Sequence, residues 1–146
     1  MDALLRGPVS QEVAETTTVS RDQLSKATGH KFSYGHALIL SGPAGRGGAA
    51  RLAARGALRI GAGLVTVGCP REAISEHAAR LDAVMVHEIG AGEVNGLRVA
   101  LGDGRVNALC VGPGLGLDAR GKDVVADALA SKRRVVLDAG KCEFTP

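Results

Sequence analysis

Aromatic residues are almost missing from this 146-residue chain: two Phe, one Tyr and no Trp, 2% of the sequence. A core without rings has to be built from Val, Leu, Ile and Ala. The same scarcity argues against nucleic-acid binding, which normally combines a dense basic patch with stacking aromatics. A formal net charge of +3 supplies no such patch. Cysteine is scarce too: Cys69, Cys110 and Cys142 form an odd set with wide spacing, and no CxxC or Cys/His pairing points to zinc or another metal. Cys110 lies in an apolar run, where a buried, inert thiol is expected. No apolar run approaches the roughly 20 residues of a membrane span. The start, "MDALLRGPVS", lacks the charged n-region and long apolar h-region of a signal peptide. These absences point to a reducing cytoplasm, with neither a membrane nor a nucleic acid as partner.

Glycine, by contrast, is plentiful. Its 21 residues cluster instead of repeating, which excludes a collagen-like or low-complexity chain. With 45% hydrophobic and 23% charged residues the composition is that of a soluble globular protein. The length suits about one domain, able to bury roughly two-thirds of its unfolded surface. Residues 1–29 are polar and "ETTTVSRDQLSKATG" follows neither period, so they read as a tail or linker that packs little.

From His36 onward the pattern alternates. "HALIL" is a short apolar strand, "SGPAGRGG" a glycine-rich loop, and "AARLAARGALRIG" a helix with Ala49, Ala53, Gly56 and Ile60 on one face. "LVTVG", "AVMVHEI", "NALCVG" and "RVVLDA" are four further strands. "REAISEHAARL", "GEVNGLRVALG" and "DVVADALAS" are the helices between them. Strands that are apolar without clean alternation are buried on both faces, as in a parallel sheet. Five strands with four helical crossovers predict a three-layer α/β fold with a mostly parallel sheet. Ligands in such folds bind outside the carboxyl ends of the strands. Both glycine loops, and Asp138 at the end of the last strand, belong to that edge and should meet around one ligand.

The first loop lacks the Lys-Ser/Thr of a P-loop, because Gly47 is followed by Gly48 and Ala49. Gly45, Gly47 and Ala50 keep GxGxxG/A spacing but start five residues after Leu40, and Cys69 stands where a dinucleotide site needs an acid. What remains is physical: glycines let a ligand approach the backbone, and amides opening a helix near Gly48 favour an anion; a bare turn is the alternative. The second loop, Gly112-Pro113-Gly114-Leu115-Gly116, is stiff and free of β-carbons on one side, which suits a flat or bulky ligand. Arg51, Arg55 and Arg59, four apart, form one stripe that reads as a solvated face, with a phosphate contact or a partner surface as alternatives. His30, His36, His77 and His87 show no catalytic or metal spacing. His77 reads as a helix-surface residue and His36 as a strand-edge residue.

Taken in order, "HKFSYGHALILSGPAGRGGAARLAARGALRIGAGLVTV", "VMVHEI", "NALCVGPGLG" and "VVLDA" resemble the ADP- or ATP-dependent NAD(P)H-hydrate dehydratases, which are ribokinase-like proteins often fused behind an NAD(P)H-hydrate epimerase. The resemblance runs from His30 to about Gly140. It implies a lyase of metabolite repair, which dehydrates the hydrates of NADH and NADPH (NADHX and NADPHX) by phosphorylating the added hydroxyl and expelling phosphate. It implies ADP or ATP as phosphoryl donor and admits magnesium. By position in the motifs, Ala49 and Gly114 match residues that contact the hydrate, with Gly112 and Gly116 as helpers. Asp138 either caps a loop or touches substrate. The family continues past the "LDA" strand with a Pro-His-Pro-Gly-Glu-like segment, a nucleotide-binding Lys-Gly stretch, and a Gly-x-Gly-Asp turn carrying the catalytic base. None of these stands in this sequence, so residues 30–146 are expected to form an incomplete, N-terminal portion of the domain, with no catalytic residue of its own. Turnover by this chain alone is therefore not expected, and its uncovered sheet edge favours a homo-oligomer. The alternatives are a non-catalytic module that grips an NAD(P)-like ligand, and a non-functional fragment.

Overall fold

The computed structural model describes residues 18–25, 29–89, 94–112, 114–115 and 119–138. The five apolar runs become β1 (His36–Leu40), β2 (Leu64–Cys69), β3 (Met85–Glu88), β4 (Val106–Val111) and β5 (Arg134–Leu137). They lie in the order β3-β2-β1-β4-β5, with every neighbouring pair parallel. A single turn, α1 (Arg21–Leu24), precedes the sheet. Helix α2 (Gly48–Arg59) joins β1 to β2, α3 (Ile74–Ala78) joins β2 to β3, α4 (Val94–Gly102) joins β3 to β4, and α5 (Ala119–Ala130) joins β4 to β5. The helix expected over 71–81 is a 3-10 turn at Arg71–Ala73 followed by the short α3.

Strand alternation divides the core into two layers. Leu38 and Leu40 of β1, with Leu109 and Val111 of β4, pack on one face against Leu97 of α4 and Val125 and Ala128 of α5. Ile39 of β1, with Val65, Val67 and Cys69 of β2, packs on the other against Ala50 and Ala54 of α2 and Ala73 before α3. The expected three-layer arrangement is present: helices α2 and α3, the sheet, then α4 and α5. Arg98 of α4 and Asp127 of α5 lock the outer helices together through two hydrogen bonds of 3.1 and 3.0 Å.

Three expectations need correction. Helix α2 buries Ala50 and Ala54, not the face through Ala49 and Ile60; Ala49 is exposed and Ile60 is 66% exposed. The arginines at 51, 55 and 59 lie on the side of the helix away from Ala50 and Ala54, so the polar stripe, not the run through Ala49 and Ile60, marks the rotation. Burial on both faces holds for β1 and β2 but fails for β3 and β5, which form the two edges; Val136 of β5 is 64% exposed. Cys110 is half-buried, at the margin of the layer that α2 packs onto the sheet. At the start of β1 the register with β4 shifts by one residue, and the side-chain oxygen of Asn107 accepts the His36 N–H at 3.2 Å. His36 thus opens the central strand as a buried residue, its Nε2 2.8 Å from Thr66 Oγ1. No described helix is long and apolar enough to cross a membrane.

Candidate functional site

The chain leaves β1 toward α2 on one face of the sheet and leaves β4 toward α5 on the other. Neighbouring parallel strands whose connections diverge in this way open a crevice beyond their carboxyl ends, and ligands of open α/β sheets bind there. The two glycine loops are those two exits.

The first loop begins as an extension of the sheet, with Ser41 N–H donating to Gly68 O at 2.8 Å. It turns sharply where Arg46 N–H donates to Pro43 O at 3.0 Å, then enters α2 with Arg51 N–H on Gly47 O at 3.1 Å. Helix α2 opens at Gly48, so its first amides lack intrahelical acceptors and point out of the helix end, where an anion is favoured. Ala49 is exposed in this first turn.

The second loop turns where Leu115 N–H donates to Gly112 O at 3.1 Å. Gly112 and Gly114 have φ of +139° and +79°, a region that residues with a β-carbon rarely adopt. Gly112 also lies against β5: a β-carbon there would stand 2.5 Å from that of Asp138. Asp138 in turn donates its N–H to Val111 O at 2.9 Å, which keeps its exposed side chain beside the loop.

The two loops touch. A β-carbon on Gly42 would run into the Gly114 carbonyl, and one on Gly114 would stand 2.5 Å from Arg46 O. The expectation that both loops share one edge is met, and through direct backbone contact. Ala49, Gly112, Gly114 and Asp138 all belong to this edge, whereas Gly116 lies outside the described residues.

Helix α3 supplies side chains that sequence reasoning passed over. Glu76 Oε2 accepts the Gly45 N–H at 2.7 Å, and Oε1 accepts from Arg51 Nη1 at 2.7 Å. The Gly45 amide, and then the Arg51 guanidinium, hold the Glu76 carboxyl below its usual range. His77, expected on a helix surface, is fully buried, with Nε2 3.0 Å from Ser41 Oγ and Nδ1 without a partner. Burial, and then the neighbouring Arg51 charge, lower its pKa, with Glu76 acting in the opposite sense. The correction has a simple cause: α3 is one short turn pressed against the first loop, and a contact 36 residues away in sequence leaves no local signal. The arginine stripe divides for the same reason. Arg51 is held by Glu76, and Arg55 donates to Arg80 O at 2.8 Å.

This doubly wound architecture is that of the ribokinase-like proteins. An Enterococcus faecalis ribokinase-like superfamily protein superposes with a TM-score of 0.67 at 22% identity, over 82% of this chain and 42% of that one. Residues 37–144 match the NAD(P)H-hydrate dehydratase family model, and the chain belongs to that family. A bifunctional NAD(P)H-hydrate repair enzyme of Coxiella burnetii is 38% identical over 110 residues, 75% of this chain and 22% of that protein. The structure of the Bacillus subtilis ADP/ATP-dependent NAD(P)H-hydrate dehydratase, co-crystallised with ATP and Mg2+, superposes with a TM-score of 0.64 at 30% identity, over 80% of this chain and 41% of that one. The chain therefore spans less than half the length of these relatives.

Proposed function

We propose that the crevice between the two glycine loops binds hydrated NADH or NADPH, and that residues 30–146 form the N-terminal portion of an ADP/ATP-dependent NAD(P)H-hydrate dehydratase domain behind a polar linker at 1–29. The observation that carries this reading is the backbone contact of Gly42 and Gly114 at the β1–β4 switch point, inside the span matched by the family model.

The hydrate carries a ring hydroxyl that the intact cofactor lacks, together with anionic phosphates. Glycines at 112 and 114 let the second loop close against Asp138 and Arg46, which shapes the backbone wall against which a flat ring can lie. The first turn of α2, with Ala49, offers amide donors to an anionic group. The exposed Asp138 carboxylate stands beside Gly112, where it accepts a hydrogen bond from a ligand hydroxyl. Gly116 closes the same sequence motif and is assigned to the same ligand.

ADP or ATP, with magnesium as companion ion, would supply the phosphoryl group that makes the ring hydroxyl a leaving group. Among the described residues no group of His, Cys, Asp or Glu gathers to hold a metal ion. The role assigned to this part of the chain is to hold and orient the hydrate. A cytoplasmic setting, and self-association through the open edges of β3 and β5, belong to the same proposal.

Titration calorimetry with NADPH hydrate tests the reading. The native chain is expected to bind, and Gly114→Val to lose binding while its circular dichroism stays native. Absence of binding by the native chain, or equal binding by the folded variant, overturns it.

A further inference from the structure

We propose that Glu76 and His77 are positioning residues that set the shape of the Ser41–Gly47 loop from outside it, and so control how well that loop grips its ligand. The proposal deepens the reading of the crevice as a hydrate site and rests on it. Its basis is the distribution of the contacts. His77 meets the loop at its entry, through Ser41 Oγ. Glu76 meets it within its turn, through the Gly45 amide. The His77 ring also packs at the loop's exit, where a β-carbon on Gly47 would stand 2.6 Å from Cε1. Arg51 closes the circuit, since its guanidinium holds Glu76 while its backbone N–H holds Gly47 O.

The clamp is carried by α3, which follows β2, whereas the loop itself follows β1. Loop shape therefore depends on the seating of a separate element. A glycine-rich segment held only by its own turn would sample many backbone conformations, and each ligand would have to bear the cost of ordering it. Here two adjacent side chains and one arginine order it beforehand.

The arrangement also requires a neutral imidazole. In the tautomer protonated at Nε2, His77 donates to Ser41 Oγ at 3.0 Å, and the Ser41 hydroxyl hydrogen is free to turn toward Gly42 O, 3.4 Å away. A second proton would sit on Nδ1, which is buried without an acceptor. The charged groups facing the ring are Arg51 from α2, which opposes the imidazolium, and Glu76 from the ring's own helix, which favours it. Protonation would expel the ring from its seat and release Ser41 and Gly47.

The test combines amide NMR of the ligand-free protein with calorimetry across pH 5–8, using NADPH hydrate as probe. In Glu76→Ala and His77→Ala, the Gly45 and Gly47 amide resonances should move and affinity should fall roughly tenfold or more, as for a lost charge-assisted or buried hydrogen bond. His77→Gln, which can still donate to Ser41 and cannot be protonated, should retain affinity and lose the decline that the native chain shows on acidification. A purely structural role for His77 would not remove that pH dependence. If His77→Ala fails to fold, the pH profile of His77→Gln decides. Unmoved glycine amides in folded Glu76→Ala, or an acid decline that persists in His77→Gln, overturn the proposal. Failure of the native chain to bind the hydrate overturns the ligand reading instead, and the ligand-free amide spectra still decide whether α3 shapes the loop.

Discussion

Gly114 rests against the backbone of Arg46, so closely that a β-carbon on it would stand 2.5 Å from the Arg46 carbonyl oxygen. The two residues lie on loops that leave β4 and β1, and their contact joins the two halves of the crevice. A side chain at 114 therefore meets protein before it meets ligand. Gly114→Ala is expected to destabilise the chain by about 1–3 kcal/mol, through the left-handed backbone at φ +79° and the forced separation of the loops. Urea denaturation measures this. An unchanged midpoint would mean that the loops part without cost.

The rotation of α2 is open to a direct check. Ala54 faces the sheet with no exposed surface, whereas Leu52 of the same helix is 70% exposed. Ala54→Leu overfills a packed layer and should cost about 1–3 kcal/mol. Leu52→Ala should stay within about 0.5 kcal/mol of the native chain. Thermal melts of the two variants would expose a misassigned face by reversing this order.

Stability should fall on mild acidification. Burial, as the leading cause, lowers the pKa of both His36 and His77 below the ordinary histidine value of about 6.5. The unfolded chain then binds protons more readily than the folded one below about pH 6.5, so unfolding gains as pH drops from there toward the folded values. Above about pH 7 these groups contribute no slope. The urea midpoint measured from pH 8 to pH 5 should be flat and then decline, and replacing both residues by Gln should shallow the decline. A midpoint independent of pH would contradict the buried neutral state of both rings.

Cys69 should resist alkylation. It is fully buried, and burial, followed by Glu72 and Glu88, raises its pKa to about 11. The half-buried Cys110 is also raised, by burial first and Asp138 second. Iodoacetamide at neutral pH followed by peptide mass spectrometry should leave Cys69 unmodified in the folded chain and modify it in urea. Rapid native labelling of Cys69 would show that the α2 layer opens readily.

Local pattern was enough for the five strands, the order of the crossovers and the class of fold, but not for the break of the 71–81 helix into a 3-10 turn and the short α3. Each strand is a short apolar run bounded by glycine or polar residues, and the longer segments between them read as helices, so neighbours in sequence carry the information. The glycine loops were legible for the same reason: "SGPAGRGG" and "GPGLG" mark backbone that side chains would obstruct, whatever the surroundings. The family was legible because these motifs recur together and in order.

Tertiary structure decided what depends on residues far apart in the chain. Strand order placed β1 beside β4, and only that adjacency turns two separate glycine loops into one crevice. Glu76 and His77 carry no local mark of their contacts with Gly45 and Ser41, 31 and 36 residues away. A histidine in a short polar helix favours solvent on its own. Here the short helix packs against the first loop, and His77 is buried with the Ser41 hydroxyl as its partner.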